Sequence, residues 1–251
     1  MAVHVREHRL RWPVSPQLKE LLAGHRVHQV GRRAKYVLLE FGHGTLAIHL
    51  GMSGSLRLST CQSAPGKHDH VDLVLEEGTV LRYNDPRRFG AFLWLSGNHP
   101  DPFVKNLLDH QGVEPLGPIL TGDWLWERTR ARQMAVKQML LAGKEVAGVG
   151  NIYASECLFR AGIHPLRPCA RISRQRYGSL VHSIREVLSE AIVQGGSTLR
   201  DFVDSAGRAG YFQNAHRVYG REGQPCLRCG APIRMIRQGQ RSTWYCARCQ
   251  R

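Results

Sequence analysis

Two pairs of cysteines near the end of the chain constrain its fold more than any other feature of the sequence. Cys226 and Cys229 form one Cys-x2-Cys motif. Sixteen residues later, Cys246 and Cys249 form a second one. Each motif bends tightly enough to place both sulfurs on one ion, and four thiolates suit a tetrahedral Zn²⁺. Because four sulfur ligands leave no coordination position open, we predict one structural zinc ion rather than a catalytic one.

The residues between the two motifs are typical of a β-hairpin. We expect residues 231–236 to form the outgoing strand, 238–239 the turn and 241–245 the returning strand. Two disulfides are the alternative for the four cysteines, and disulfides are rare inside cells.

The charge of the chain is strongly positive and unevenly distributed. Thirty-five Lys and Arg against twenty Asp and Glu give a net charge of +15. From Ser205 to the end there are nine arginines and one acid, Glu222, which gives 9 − 1 = +8. Such a field attracts nucleic acid or another polyanion, although a merely basic surface is the alternative.

Neither a membrane span nor a signal peptide is evident in the sequence. No run approaches the roughly 18 apolar residues that cross a bilayer, and the first ten residues contain no apolar segment. We therefore expect a cytoplasmic protein without a membrane partner.

Strand-like and helix-like patterns occupy different parts of the chain. Residues 1–100 predict an antiparallel β-sandwich, 101–120 a linker, 121–204 a helical domain, and 205–251 a loop followed by the zinc finger. The sequence thus predicts an α+β multidomain protein. The strands are expected over residues 36–40, 45–50, 55–58, 71–75 and 79–83. Helices are expected from an N-cap at Ser15 to Gly24, over 152–160, and over 175–194.

Several short segments could contact nucleic acid, and each also has an ordinary structural explanation. Glycines in 148–151 precede a helix, where free N–H groups can receive a phosphate, but tight turns of this kind are common. Segment 84–90 offers two arginines and Phe89, which could hold a phosphate and wedge between bases, or form a charged turn. Met52 lies in a tight loop, where methionine is usually a packing residue. Lys35 suits proton transfer or imine chemistry, or a solvated basic turn.

Eight segments, in the same order along the chain, together resemble one known family. They include His-Leu-Gly-Met-Ser-Gly-Ser-Leu-Arg (49–57), Asp-Pro-Arg-Arg-Phe-Gly (85–90) and Gly-Val-Gly-Asn-Ile-Tyr-Ala-Ser-Glu (148–156). The others are residues 9–13, 32–36, 67–72, 162–165 and 240–246. On these segments the chain resembles the formamidopyrimidine-DNA glycosylase/endonuclease VIII family of base-excision repair enzymes, and more closely its formamidopyrimidine branch.

The resemblance implies a fold and an activity. The fold is an N-terminal β-sandwich, a helix–two-turn–helix domain and a zinc finger. The implied enzyme is a DNA glycosylase with AP (apurinic/apyrimidinic) lyase activity, which removes oxidised purines such as 8-oxoguanine and formamidopyrimidines by base flipping and imine chemistry with β,δ-elimination. Its implied partner is double-stranded DNA with damaged bases or abasic sites, bound by a monomer with one structural Zn²⁺.

The resemblance also implies residue roles. Met52, Arg87 and Phe89 match residues that fill the gap left by a flipped base and probe its partner. The phosphate-gripping residues of the family match His68, Lys137, Asn151 and Arg241. Lys35 and Arg241 match positions at the catalytic centre, Lys35 being assigned to strand cleavage. The loop at 198–211 matches the segment that covers an extruded 8-oxoguanine.

One part of the family pattern has no counterpart at the start of this sequence. The family's nucleophile is an N-terminal proline followed by a glutamate that acts as general acid and base, whereas Met1-Ala2-Val3 aligns with the first β-strand. Either the start codon is placed too far downstream, or the chain is truly short. For the 251 residues as written we expect duplex binding with very poor cleavage of 8-oxoguanine sites.

Two readings without catalysis compete with the enzyme. One is a catalytically impaired lesion-binding zinc-finger protein. The other is a zinc-finger regulator or ribosome-associated factor, which explains the charge and the finger but not the order of Met52, Arg87, Phe89 and Lys35. A preference for lesion-containing or abasic duplex over intact duplex separates the enzyme family from the regulator.

Overall fold

Strands dominate the first half of the chain and helices most of the second. The computed structural model describes residues 1–95, 107–196 and 212–251. These residues belong to two compact units, the first containing 1–95 and 107–109, and the second 110–196 and 212–251.

The first unit contains two four-stranded antiparallel sheets. Along the chain its described strands are β1 (Ala2–Val5), β2 (Gln29–Arg33), β3 (Tyr36–Phe41), β4 (Gly44–His49), β5 (Ser55–Thr60), β6 (Asp69–Val74), β7 (Thr79–Asn84) and β8 (Ala91–Leu95). One sheet has the order β1-β6-β7-β5 and the other β2-β3-β4-β8. Apolar side chains of both sheets form a single buried cluster, with Leu46, Ile48 and Trp94 on one side and Leu73 and Tyr83 on the other. The expected antiparallel β-sandwich is confirmed.

The short helix of this unit begins later than expected. Helix α1 spans Leu18–Leu22, and its N-cap is Gln17, which makes no side-chain capping bond. Ser15 lies two residues before Gln17, where its Oγ accepts a hydrogen bond from the Gln17 N–H at 3.3 Å. The prediction of Ser15 as N-cap was therefore wrong, because residues 16–17 form a turn before the helix starts. Gly24, with φ of +73°, follows the helix end as expected.

The second unit combines four helices with a two-stranded hairpin in its described part. The elements are α2 (Gly122–Thr129), α3 (Val136–Ala142), α4 (Asn151–Arg160), α5 (Arg174–Val193), β9 (Arg234–Gln238) and β10 (Arg241–Tyr245). Thr121 and Ser173 cap α2 and α5 by accepting hydrogen bonds from backbone N–H groups. The helices enclose an apolar core that also includes Leu120 and packs against Val113.

Part of the predicted linker, 101–120, belongs to this helical unit. Residues 110–120 lie in the second unit, and Val113 forms an isolated parallel bridge with Val146. Leu120 is completely buried. A segment rich in proline was expected to connect two domains, but its second half supplies core residues.

The zinc-finger hairpin turns one residue later than predicted. Gln238 pairs with Arg241, so the two-residue turn is Gly239-Gln240. Both turn residues have positive φ, 54° and 62°, which is the conformation of a type I′ turn. The prediction of a turn at 238–239 was wrong because Gln238 stays in the ladder, and the shift places Arg241 directly after the turn.

Among the described residues, no helix is both long and apolar enough to cross a membrane.

Candidate functional site

The four predicted zinc ligands converge. Their sulfurs all lie within 4.8 Å of one another. The Sγ atoms of Cys226 and Cys249 are 3.9 Å apart, and those of Cys229 and Cys246 are 3.5 Å apart. A tetrahedral ion with Zn–S bonds of 2.3 Å separates its sulfurs by about 3.8 Å. The donor set and its spacing therefore fit one structural Zn²⁺.

A buried glutamate of α4 anchors the segment that leads into the finger. Glu156 is 0% exposed, and its carboxylate accepts the backbone N–H groups of Arg217, Val218 and Tyr219 at 2.8–3.0 Å. At the other end of the finger, the Gln250 side chain donates to the Ile163 carbonyl at 2.9 Å. The finger is thus fixed to the helices at both ends.

Replacing Glu156 with glutamine should loosen this anchor. An amide keeps the shape, but it has one acceptor oxygen for three donors and places an N–H₂ group against them. We expect the free energy of unfolding to fall by about 2–4 kcal/mol, the cost of leaving buried donors unpaired near a lost charge. Denaturant unfolding measures this. Glu222→Gln, on an exposed residue of the finger segment, is the matched control, and an equal effect of both changes would contradict the prediction.

Three of the predicted phosphate-binding residues meet around the hairpin. Lys137 on α3 donates to Thr243 Oγ1 at 2.7 Å and to the Ser242 carbonyl at 3.4 Å. The Asn151 side chain, at the start of α4, donates to the same carbonyl at 3.0 Å. Its Oδ1 is buried and has no hydrogen-bond partner among the described residues. Arg241, at the beginning of β10, is exposed.

Lys137 is buried, which is unusual for a lysine that is expected to bind a phosphate. The residue is 0% exposed. Burial, and secondly the positive charge of Arg241, lower the pKa of Lys137 from 10.5 to about 8. No pattern in the sequence predicts this burial. An approaching phosphate would stabilise the charged form of Lys137 and compensate the repulsion from Arg241.

The predicted gap-filling residues lie together on the first unit. Met52 is 65% exposed and Phe89 is 42% exposed, although both are large and apolar. The Arg87 guanidinium lies over the Phe89 ring at 4.8 Å from its centroid. The turn at Gly51 is in contact with the Phe89 backbone, because a Cβ on Gly51 would lie 2.6 Å from the Phe89 carbonyl carbon.

A buried carboxylate that the sequence did not single out organises these loops. Asp85 is 0% exposed. Its Oδ1 accepts from the Ser53 hydroxyl at 2.7 Å, and its Oδ2 accepts from the Tyr83 hydroxyl and the Gly90 N–H, both at 2.9 Å. Because Ser53 follows Met52 and Gly90 follows Phe89, one side chain fixes both loops.

His68 is positioned by the backbone of the same loop. Its carbonyl accepts the Asp85 N–H at 2.9 Å, and its own side chain is half-buried. A shift in register between Asp69 and Val71 interrupts β6 beside it. In the described part of the chain only the four finger cysteines form a possible metal-binding group, which leaves phosphate binding as the predicted role of His68.

Lys35 lies in the turn between β2 and β3 and is exposed. Its charge is close enough to His49, the last residue of β4, to help lower the pKa of that imidazole. His49 in turn accepts a hydrogen bond from Gly51, the residue before Met52. The structure therefore brings Lys35 close to the loop that contains Met52.

The predicted lesion-covering loop, 198–211, lies outside the described residues.

Comparison with known proteins identifies the same architecture. Family models match over three ranges: the formamidopyrimidine-DNA glycosylase N-terminal domain over residues 1–92, the H2TH domain of the same enzyme over 111–203, and the zinc finger found in FPG and IleRS over 223–251.

Related sequences and solved structures extend over almost the whole chain. Formamidopyrimidine-DNA glycosylase of Syntrophotalea carbinolica is 54% identical, over 100% of this chain and 92% of that protein. The Methylococcus capsulatus enzyme of that name is 55% identical, over 99% of this chain and 91% of that protein. The crystal structure of Lactococcus lactis Fpg with DNA containing an abasic site superposes with a TM-score of 0.88 at 34% identity, covering 100% of this chain and 91% of that one.

Proposed function

The chain belongs to the formamidopyrimidine-DNA glycosylase family, and we propose that it excises oxidised purines, such as 8-oxoguanine and formamidopyrimidines, from double-stranded DNA. It is a base-excision repair DNA glycosylase that acts on damaged bases and abasic sites. Family membership over nearly the full chain favours this activity over a regulator that binds DNA through a zinc finger alone.

The observation that carries the proposal is the pair of exposed apolar residues on a rigid support. Met52 and Phe89 leave large apolar surfaces in water, which costs stability unless a ligand covers them. Asp85 holds the backbone of both loops, so it fixes the positions from which the two side chains project. Extruding a base costs a few kcal/mol of stacking, and apolar side chains that enter the gap offset that cost. Arg87, stacked on Phe89, can donate to the orphaned partner base.

The phosphates of the DNA backbone are the proposed ligands of four basic or polar residues. We propose that Arg241, Asn151 and Lys137 of the second unit bind DNA phosphates, and that His68 of the first unit also binds one. The Oδ1 atom of Asn151 is buried and without a partner in the described part of the chain, so it can accept a hydrogen bond from a water molecule bound to the phosphate. The negative charge of the phosphate would favour the ammonium form of Lys137, whose pKa is lowered in the free protein.

We infer that the lyase step of the family also involves Lys35 and Arg241 as its cationic groups. In the family the amine of an N-terminal proline forms the imine on the sugar, and each elimination that follows expels a phosphate. Lys35 can supply a proton to a leaving phosphate, and the guanidinium of Arg241 can stabilise the negative charge of a phosphate. We also infer a monomer that acts inside the cell, where the four zinc thiolates remain reduced.

The proposal is tested by the selectivity of binding. We expect Met52→Ala and Phe89→Ala each to reduce the preference for abasic over intact duplex by about tenfold, because each removes a stacking contact of about 1–3 kcal/mol. Fluorescence anisotropy with the two duplexes measures this preference. Leu58→Ala removes an equally exposed apolar side chain from β5 and should change nothing. Equal affinity of the unmodified protein for both duplexes would contradict the proposed function and favour the regulator.

A further inference from the structure

The imidazole of His49 holds the turn that presents Met52. His49 ends β4, and its Nδ1 lies 2.9 Å from the backbone N of Gly51, which donates to it. Since Nδ1 accepts a hydrogen bond, the neutral ring carries its proton on Nε2. The ring also packs against Tyr36, with centroids 4.9 Å apart.

Gly51 is the point at which the two gap-filling loops meet. Its φ is +71°, and a Cβ there would lie 2.6 Å from the Phe89 carbonyl carbon and 2.7 Å from the Gly90 N. A small displacement of Gly51 would therefore move Met52 relative to Phe89. Asp85 fixes the loop beyond Met52 through Ser53, and the His49 bond fixes the loop before it.

The surroundings of His49 keep it neutral. Burial is the main cause that lowers the pKa of His49 to about 4, and the positive charges of Lys35 and Arg11 lower it further. Asp85 acts in the opposite direction, and the phenol ring of Tyr36 packs on the imidazole. Protonation would place an N–H on Nδ1, opposite the Gly51 N–H, and abolish the bond.

We propose that His49 is a positioning residue for lesion binding, which acts by holding the Gly51–Met52 turn so that Met52 enters the duplex beside Phe89. This inference rests on the proposed function, because it assigns a residue that acts through Met52. It makes His49 neither a nucleophile nor a proton donor.

Three replacements of His49 separate the acceptor from the ring. His49→Asn places a carbonyl oxygen close to the position of Nδ1 and should keep the bond. His49→Gln extends its carbonyl towards the Nε2 position and should lose it. His49→Phe retains the ring but has no acceptor. His4→Phe, at an exposed position of β1 in the same unit, is the control for adding an aromatic ring.

The probe is a duplex with a stable abasic analogue opposite 2-aminopurine, whose fluorescence reports how that base is stacked. We expect His49→Phe and His49→Gln to weaken binding by about fivefold to tenfold, the worth of one hydrogen bond, and to reduce the fluorescence change. His49→Asn and His4→Phe should match the unmodified protein. In a Met52→Ala background, His49→Phe should have no further effect.

Two results would overturn the inference. One is that the His49→Asn variant binds the abasic duplex as weakly as the His49→Gln variant. The other is that His49→Phe lowers the affinity by its full amount even when Met52 has already been replaced with alanine. If the phenylalanine variant does not fold, as judged by thermal unfolding, the asparagine and glutamine pair still decides. An unmodified protein without preference for the abasic duplex would instead refute the proposed function, which keeps the two failures distinct.

Discussion

Replacing Cys246 with serine should remove the zinc ion and with it most of the affinity for DNA. A structural zinc site contributes on the order of 10 kcal/mol to the folding of a small finger, which has almost no other core. Here the finger cluster contains Cys226 and Cys246 themselves, with Phe159, Val218 and Ile233. Without the ion the two Cys-x2-Cys motifs at the ends of the hairpin are no longer joined. Arg241 is then no longer held close to Lys137 and Asn151. We expect the affinity for duplex to fall by at least about a hundredfold.

Metal content and binding must change together for this prediction to hold. Native mass spectrometry should find one zinc ion per chain in the unmodified protein and none after Cys246→Ser. Cys61→Ser changes an exposed cysteine far from the finger motifs in sequence and should alter neither zinc content nor binding. Zinc loss with undiminished affinity would show that the finger does not position the DNA-binding residues.

The zinc finger could be predicted because its information is local. Two Cys-x2-Cys motifs and a hairpin between them lie within 24 residues, from Cys226 to Cys249, and the four sulfurs converge as expected. The position of the turn was missed, because Gln240 adopts positive φ, a conformation that glycine or asparagine normally marks. Strands with clear apolar alternation were likewise predicted, whereas β1, β2 and β8 were not found as strands by their own pattern.

The site itself was predicted only through the resemblance, and its support was not predicted at all. Met52 and Phe89 are ordinary loop residues until their neighbours are known. Asp85 contacts Ser53 across 32 positions, and Glu156 contacts Val218 across 62. No local pattern links such pairs. Each carboxylate is completely buried and accepts several hydrogen bonds. These two properties mark Asp85 and Glu156 as supporting residues in the structure, and neither property can be predicted from the sequence.

The burial of Lys137 leads to the second large expected effect, a coupling of DNA binding to proton uptake. With its pKa lowered to about 8, Lys137 is largely neutral in the free protein at pH 9. A phosphate beside it favours the ammonium form and raises the pKa again. Binding above pH 8 should therefore take up close to one proton, and the affinity should fall as the pH rises through about 8. Below pH 7 Lys137 is already charged in the free protein, so titration of this group should no longer change the affinity with pH.

Calorimetric titration in buffers of different ionisation enthalpy measures the proton uptake. Lys137→Met keeps the apolar stem without the charge, and should abolish the uptake and weaken binding at pH 7 by about tenfold to a hundredfold, the worth of one charged hydrogen bond. Its logarithmic salt dependence should become less steep by about 0.9, as for one phosphate contact. Lys144→Met, on an exposed lysine of the same unit, controls for the loss of a positive charge. Binding without proton uptake at pH 9 would mean that Lys137 only holds Thr243 and the hairpin, and that the phosphate is bound by Arg241 and Asn151 without it.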